Sequence, residues 1–372
     1  MKFQFLPENF SRSENAPPFE TRKIRHFEVE RIFLENKKMV DHFLFFPELH
    51  IRFMNGLGMP DILKLLRRLG FDASADFPRP LGGGLSHQTW AAAAAEGTFV
   101  VKRLNPVVMK RPAAPGNFRR SELLARTLAD EIPAITALRF HNDVLIPFEG
   151  GIYMVFPFQP GRILNRDEIT AGHCAKIGAV LGKIHRRNIR PDAESAGIEC
   201  PLHSWPLPAG RERTAVRLKQ VNLLARQALE KLKRNAVMSH RDLDSKNVLW
   251  NRGEPFIIDW EAAGPVPPAL ELWEALLNWG RDGGGKLRPD RIAALLDAYR
   301  QWNSLPPPDW ESVGHAGYAG MLGWLNYNIA RSSNPALSPE ERQLGAEQTA
   351  ITLKEIIEYE EQAPQLRRLI DG

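Results

Sequence analysis

The chain has 372 residues, 43% of them hydrophobic and 25% charged, the balance of an ordinary globular protein that is too long for one small core. Its formal net charge is +5, with both signs interspersed and only short basic pairs, Lys110-Arg111 and Arg119-Arg120. That pattern argues against a nucleic-acid partner and reads as a solvated surface that also suits anionic ligands.

The first ten residues, MKFQFLPENF, lack the continuous apolar core of a signal peptide, and no apolar run approaches the roughly 18 residues of a membrane span, so no membrane role and the cytoplasm are expected. Residues 1–58 mix charges with aromatics and hold no sustained period; they are expected to form a dispensable N-terminal extension. Met59-Pro60-Asp61 opens an amphipathic helix in which Ile62, Leu65, Leu66 and Leu69 share a face and Gly70 ends the run. LGGGLSHQTW (81–90) is followed by an alanine run, Ala91–Ala95, that looks out of place between strand-like pieces because alanine is a poor strand former. FVVKRL (99–104) has strand composition, residues 116–130 read as a helix, and two strands flank the turn Glu149-Gly150-Gly151. Residues 165–235 are helical in pattern. Two short strands, Val248–Trp250 and Pro255–Asp259, follow, and about 266–361 is helical again. Cys174 and Cys200 form no C-x-x-C pair and no zinc spacing, which leaves two free thiols in a reducing compartment. The expected fold class is α+β in two lobes: a β-rich N-lobe over 59–159 and a mostly helical C-lobe over 160–372, with the ligand site between them.

The densest chemistry is SHRDLDSKNVLW, residues 239–250. Asp242 follows His240 by two residues, and Asn247 follows Asp242 by five. Such a carboxylate can take a proton from an attacking hydroxyl, and an amide oxygen a turn later can bind a hard cation. A second carboxylate, Asp259, ends the apolar strand of FIIDWE a dozen residues on. Mg²⁺ takes a few hard oxygens and fills its remaining positions from substrate phosphates, which suits Asn247 with Asp259. The order H-x-D-x-x-x-x-N followed by hydrophobic-hydrophobic-D is the base and metal half of a kinase site. Upstream lies a candidate nucleotide half. Gly82-Gly83-Gly84-Leu85-Ser86 lets backbone N–H groups approach phosphates, Lys102 ends a strand where a cation could reach them, and Glu122 is the acidic residue in the body of the next helix.

These motifs, in this order, resemble the aminoglycoside phosphotransferase and choline kinase family, the small-molecule branch of the protein-kinase-like fold. The resemblance covers about residues 60–360 and is carried most specifically by His240, Asp242, Asn247 and Asp259, with Gly83-Gly84-Leu85-Ser86 similar to the family's phosphate loop. It implies ATP- and Mg²⁺-dependent transfer of the γ-phosphoryl group to a hydroxyl of a small molecule. Asp242 would be the catalytic base and His240 a brace for its loop. Asn247 and Asp259 would hold Mg²⁺. Gly83, Gly84, Ser86 and Lys102 would meet the ATP phosphates, with Glu122 pairing behind Lys102. Val155, Phe156 and Phe158 would form the hinge against adenine.

A protein kinase is the first alternative. Asp259 is followed by Trp260-Glu261 rather than Phe-Gly, no A-P-E closes an activation segment, and the stretch from hinge to catalytic loop is long and helical, all of which weigh against it. A silent nucleotide-binding scaffold is the second, opposed by the joint presence of Lys102, Asp242, Asn247 and Asp259. The acceptor is the thinnest part of the reading. Trp260, Trp273, Trp279, Trp302, Trp310 and Trp324 all follow the catalytic loop and could cage a quaternary ammonium, although tryptophan at helical spacing is more often core. Glu261, Glu271, Glu274 and Asp282 could bind a cationic acceptor, so an amino-sugar or amino-alcohol is favoured.

Overall fold

The structure is a computed structural model that describes residues 61–73, 78–82, 87–192, 197, 199–207, 210–304 and 308–371. The chain divides into Met1–Pro60, which lies outside the described residues together with the expectation of a dispensable extension, and Asp61–Gly372.

The first lobe opens with α1 (Ile62–Arg68), capped where the Asp61 side chain accepts a hydrogen bond from Lys64 N at 2.8 Å. Ile62, Leu65 and Leu66 are buried, on the face the spacing predicts, and Gly70 takes the left-handed conformation (φ +93°) just beyond the helix. A five-stranded antiparallel sheet follows, built from β1 (Arg79–Leu81), β2 (Gln88–Ala94), β3 (Gly97–Arg103), β4 (Ile146–Phe148) and β5 (Gly151–Pro157) in the order β1-β2-β3-β5-β4. Ala91–Ala94 of the alanine run are therefore strand, and Ala95 begins the turn into β3. Packing overrides propensity there: β2 pairs on both edges, and Ala91 and Ala92 are buried. In β3, Phe99 and Val101 enter the core with Trp90, Tyr153 and Val155, so the two-residue alternation turns Lys102 to the opposite face. Two helices, α2 (Pro106–Met109) and α3 (Ala114–Leu128), come between β3 and β4. Phe118 of α3 packs with Leu104 and Met154, and Glu122 stands one turn further along the helix.

The second lobe contains α4 (Ala171–Arg186), α5 (Glu212–Leu232), β6 (Val237–Ser239), β7 (Val248–Asn251), β8 (Glu254–Ile257), β9 (Gly264–Val266), α6 (Pro268–Gly280), α7 (Pro289–Trp302), α8 (Trp310–Ala316), α9 (Tyr318–Ser333) and α10 (Pro339–Asp371). α4 lies against α7, and a methyl group placed on Gly182 would stand 2.8 Å from Tyr299 O, so this close approach requires glycine. α6 buries both Trp273 and Trp279. Two antiparallel pairs, β6 with β9 and β7 with β8, frame the loop 240–247 and bring it beside residues 258–263. Ile258 N closes the join by donating to Asn247 O at 3.0 Å. Cys174 and Cys200 are both free and buried, and burial pushes the Cys174 thiol up to about 12. Among the described residues no helix is long and apolar enough to cross a membrane.

Candidate active site

The loop after β6 carries the first group of candidate residues. Arg241 adopts a left-handed backbone (φ 66°), an unusual conformation for a side chain of its size. The Asp242 carboxylate accepts from Asn247 Nδ2 at 3.0 Å and pairs with Lys246 Nζ at 3.1 Å. Asn247 Nδ2 also donates to Asp242 O at 2.8 Å, so its amide nitrogen is committed to the loop and its amide oxygen remains the group for a cation. Burial raises the Asp242 pKa above the ordinary aspartate value, against the pull of Lys246. A carboxylate whose affinity for a proton is increased in this way is a better base.

His240 is fully buried beneath that loop. Its Nδ1 accepts from Asp242 N at 3.3 Å, which assigns the proton to Nε2, and Nε2 donates to Ile258 O at 3.1 Å. Burial lowers its pKa and keeps the ring neutral. The ring meets Trp260 edge-on at 4.6 Å. His240 thus ties the backbone of Asp242 to the residue before Asp259, a bracing geometry.

Asp259 follows β8 in the left-handed conformation (φ 62°, ψ 62°), which aspartate tolerates better than most residues. Its Oδ1 accepts from Lys102 Nζ at 2.8 Å, and Glu261 Oε2 accepts from the same amine at 3.3 Å. Burial would lower the Lys102 pKa, but the two carboxylates outweigh it and hold the amine above its usual value. The expected Lys102–Glu122 pair is not what the structure forms. Glu122 is buried on α3 and its Oε2 accepts from Ala137 N at 2.7 Å, while Lys102 reaches across to the second lobe. Burial pushes the Glu122 carboxyl up to about 7, outweighing the hydrogen bond from Ala137 N and the pull of Lys102 and Arg126.

The acceptor candidates separate. Glu261 belongs to the lysine side of the site: Lys102 and His87 both donate to its Oε2, and these contacts overcome burial to bring it down to about 2. Glu271 is only 2% exposed and both of its oxygens are taken. Oε1 accepts from Arg241 N at 2.6 Å and Oε2 from His185 Nε2 at 2.7 Å. Behind it, Asn303 Nδ2 donates to Tyr299 Oη at 2.7 Å, so the tyrosine hydroxyl hydrogen points at His185 Nδ1, 2.8 Å away. This buried relay fixes the loop 240–247 from below and leaves Glu271 no free oxygen to meet a substrate. Glu274 differs. It is mostly but not wholly buried, and burial and then Glu271 push its carboxyl up to about 8, with Arg241 and Asp242 close enough to act on it. Asp282 accepts from Gly284 N and Lys286 N within its own turn.

The tryptophans do not form a cage. Trp260, Trp273 and Trp279 are core residues, Trp310 stacks on Trp273, Trp302 lies under Lys183 and Arg186, and exposed Trp324 stacks on Tyr327. Of the hinge candidates, Val155 and Phe156 lie within β5, where Phe156 pairs with Val100 and Val155 O accepts from Leu138 N, and Phe158, the first residue past it, donates from N to Thr98 O. The chain leaves the sheet only beyond Pro157. Gly83, Gly84 and Ser86 lie outside the described residues.

The donor set fits a divalent cation shared with phosphates. Asn247 and Asp259 offer one amide and one carboxylate oxygen, joined through Ile258, and among the described residues no three His, Cys, Asp or Glu side chains converge into an all-protein metal cage. Sequence reasoning missed His87, His185, Tyr299, Asn303 and Lys246. His87 and Lys246 sit inside the motifs already singled out, whereas the other three are brought together only by the packing of α4 on α7.

Comparison with known proteins extends this geometry. A serine/threonine protein kinase RdoA of Salmonella typhimurium (strain LT2) is 23% identical over 249 residues, which span 64% of this chain and 73% of that protein. Among solved structures, amicoumacin kinase hAmiN, in complex with AMP-PNP, Ca²⁺ and Ami, superposes with a TM-score of 0.58 at 14% identity, covering 80% of this chain and 94% of that one. A microcompartment-associated aminopropanol kinase does so with a TM-score of 0.56 at 16% identity, covering 79% and 95%. These two likenesses establish the protein-kinase-like two-lobed fold. The model of the phosphotransferase enzyme family matches residues 78–305, and the chain belongs to that family.

Proposed function

We propose that this phosphotransferase moves the γ-phosphoryl group of ATP to a hydroxyl of a small, amine-bearing molecule. The observation that carries this reading is the Asp242 carboxylate, held by Asn247 and Lys246 and raised in pKa by burial, beside the Lys102–Asp259 pair. Asp242 orients the acceptor hydroxyl and takes its proton as the O–P bond forms. Lys102 supplies positive charge on the phosphate side. Asn247 and Asp259 would hold Mg²⁺, which when bound neutralises phosphate oxygens. Most of the rate enhancement then comes from positioning and electrostatics. The AMP-PNP and Ca²⁺ in the amicoumacin kinase complex support nucleotide and divalent-metal use.

Glu274 is the residue assigned to the acceptor's amine. It carries no hydrogen bond from the protein among the described contacts, keeps some exposure, and lies near Asp242. An ammonium group bound there would draw it to its charged form. The aminopropanol kinase among the structural neighbours supports an amino-alcohol in this role. A second reading, transfer to a serine or threonine side chain, is favoured by the name of the Salmonella typhimurium relative.

The test is ADP release in Mg²⁺ and ATP against amino-alcohols, amino-sugars, neutral polyols and a serine/threonine peptide library. Stimulation by an amine-bearing acceptor, lost in Glu274→Gln with ATP binding intact, supports the first reading. Stimulation by peptides alone supports the second.

A further inference from the structure

We infer that His87 is a positioning residue that locks the metal-side turn of the second lobe onto the lysine strand of the first. The inference rests on the phosphotransferase reading above and goes beyond it, because it gives a task to a residue outside the base, metal and lysine set.

His87 immediately precedes β2 and is 7% exposed. Its ring is held at both nitrogens and on one edge. Asn105 N, just beyond β3, donates to Nδ1 at 2.9 Å. Nδ1 therefore presents its lone pair, and the proton of the neutral ring sits on Nε2. Nε2 stands 2.9 Å from Glu261 Oε2 and is its donor. The Phe118 ring of α3 fixes the imidazole plane, edge-on at 5.8 Å.

The contacts close a ring. β3 carries Lys102 and leads into Asn105; Asn105 orients His87; His87 orients Glu261; Glu261 and Asp259 together take Lys102. Without His87, Glu261 keeps one partner among the described residues, an amine on a flexible stem at 3.3 Å. With it, Oε2 has two donors from the first lobe, one just before β2 and one on β3, and the segment 259–261 is placed relative to β3. A neutral donor suits this task. It fixes the carboxylate without cancelling its charge, so Asp259 and Glu261 keep one negative charge in excess of Lys102 at a place proposed to meet a divalent cation. A lysine or arginine in this position would remove that excess.

The test compares His87→Ala, which loses both contacts, with His87→Gln, whose amide can still donate to Glu261, each alone and combined with Glu261→Gln in the full-length protein. The readouts are the dissociation constant for a fluorescent ATP analogue with Mg²⁺, the KM for ATP, kcat, and the melting temperature. His87→Ala is expected to weaken nucleotide binding and raise the KM for ATP by about tenfold, the usual effect of losing a hydrogen bond to a charged group. His87→Gln is expected to recover most of that loss, and His87→Ala to add little in the Glu261→Gln background. Equal nucleotide affinity in the wild type and His87→Ala would overturn the inference. So would equal losses in Ala and Gln, or a loss that persists undiminished in Glu261→Gln, since each makes His87 a packing residue that the melting temperature alone reports. Absence of nucleotide binding in the wild type would instead overturn the phosphotransferase reading on which the inference rests.

Discussion

Glu122→Gln tests the most unexpected contact in the site. The buried Glu122 carboxyl has its pKa raised from 4.5 to about 7 because burial dominates and its hydrogen bond comes from Ala137 N rather than from Lys102. The folded state therefore holds a proton between those pH values that the unfolded chain has already released. Stability is full below about pH 4.5, falls as pH rises toward 7, and then levels. At ~1.4 kcal/mol per pH unit, a difference of 7 − 4.5 corresponds to a loss of about 3 kcal/mol by pH 8. Glutamine has the same shape, can accept from Ala137 N with its amide oxygen, and has no proton to lose. Urea unfolding of both proteins between pH 5 and pH 8.5 should show Glu122→Gln gaining on the wild type by about 2–3 kcal/mol over that range. A gap that stays constant would refute the burial argument. A gap of opposite sign, with the wild type gaining as pH rises, would show that Glu122 is ionised and paired with Lys102.

Other expectations follow from the same geometry. Glu271→Gln must turn an amide NH₂ toward either Arg241 N–H or His185 Nε2–H, so it should cost about 2–4 kcal/mol in urea unfolding and also lower kcat, because Arg241 adjoins Asp242, the proposed base. Unchanged kcat in a folded variant would detach the relay from the loop. Burial raises the Asp242 pKa and Lys246 lowers it, so kcat/KM should rise with pH through a value above that of an ordinary aspartate. Lys246→Met should move that acid limb to still higher pH; a limb that stays in place would deny Asp242 the role of base.

Much of the site was legible because it is local. His240, Asp242 and Asn247 lie within one short loop, and Asp259 ends the next hairpin, so a strand-loop-strand reading already places them together. Lys102 faces the site because β3 alternates, which Phe99 and Val101 announce in the sequence. What was illegible depends on distant packing. Glu271 and Glu274 lie one turn apart on α6 and look equivalent in the sequence, yet one is buried against His185 of α4 while the other keeps some exposure. The partner of Lys102 was misassigned because an acidic residue on the next helix is the simplest counter-ion by pattern, whereas Asp259 and Glu261 come from more than 150 positions away. The alanine run misled for a similar reason: pairing of Ala91–Ala94 with β3, and the burial of Ala91 and Ala92, outweigh the weak intrinsic preference of alanine.

The most direct test of the central claim is mass spectrometry of an amine-bearing hydroxyl acceptor incubated with the wild-type protein, Mg²⁺ and ATP, alongside Asp242→Asn. The expected result is a phosphorylated acceptor from the wild type and a rate lowered by about 10²-fold or more in Asp242→Asn, with nucleotide affinity unchanged. Product formed equally fast by Asp242→Asn would contradict it.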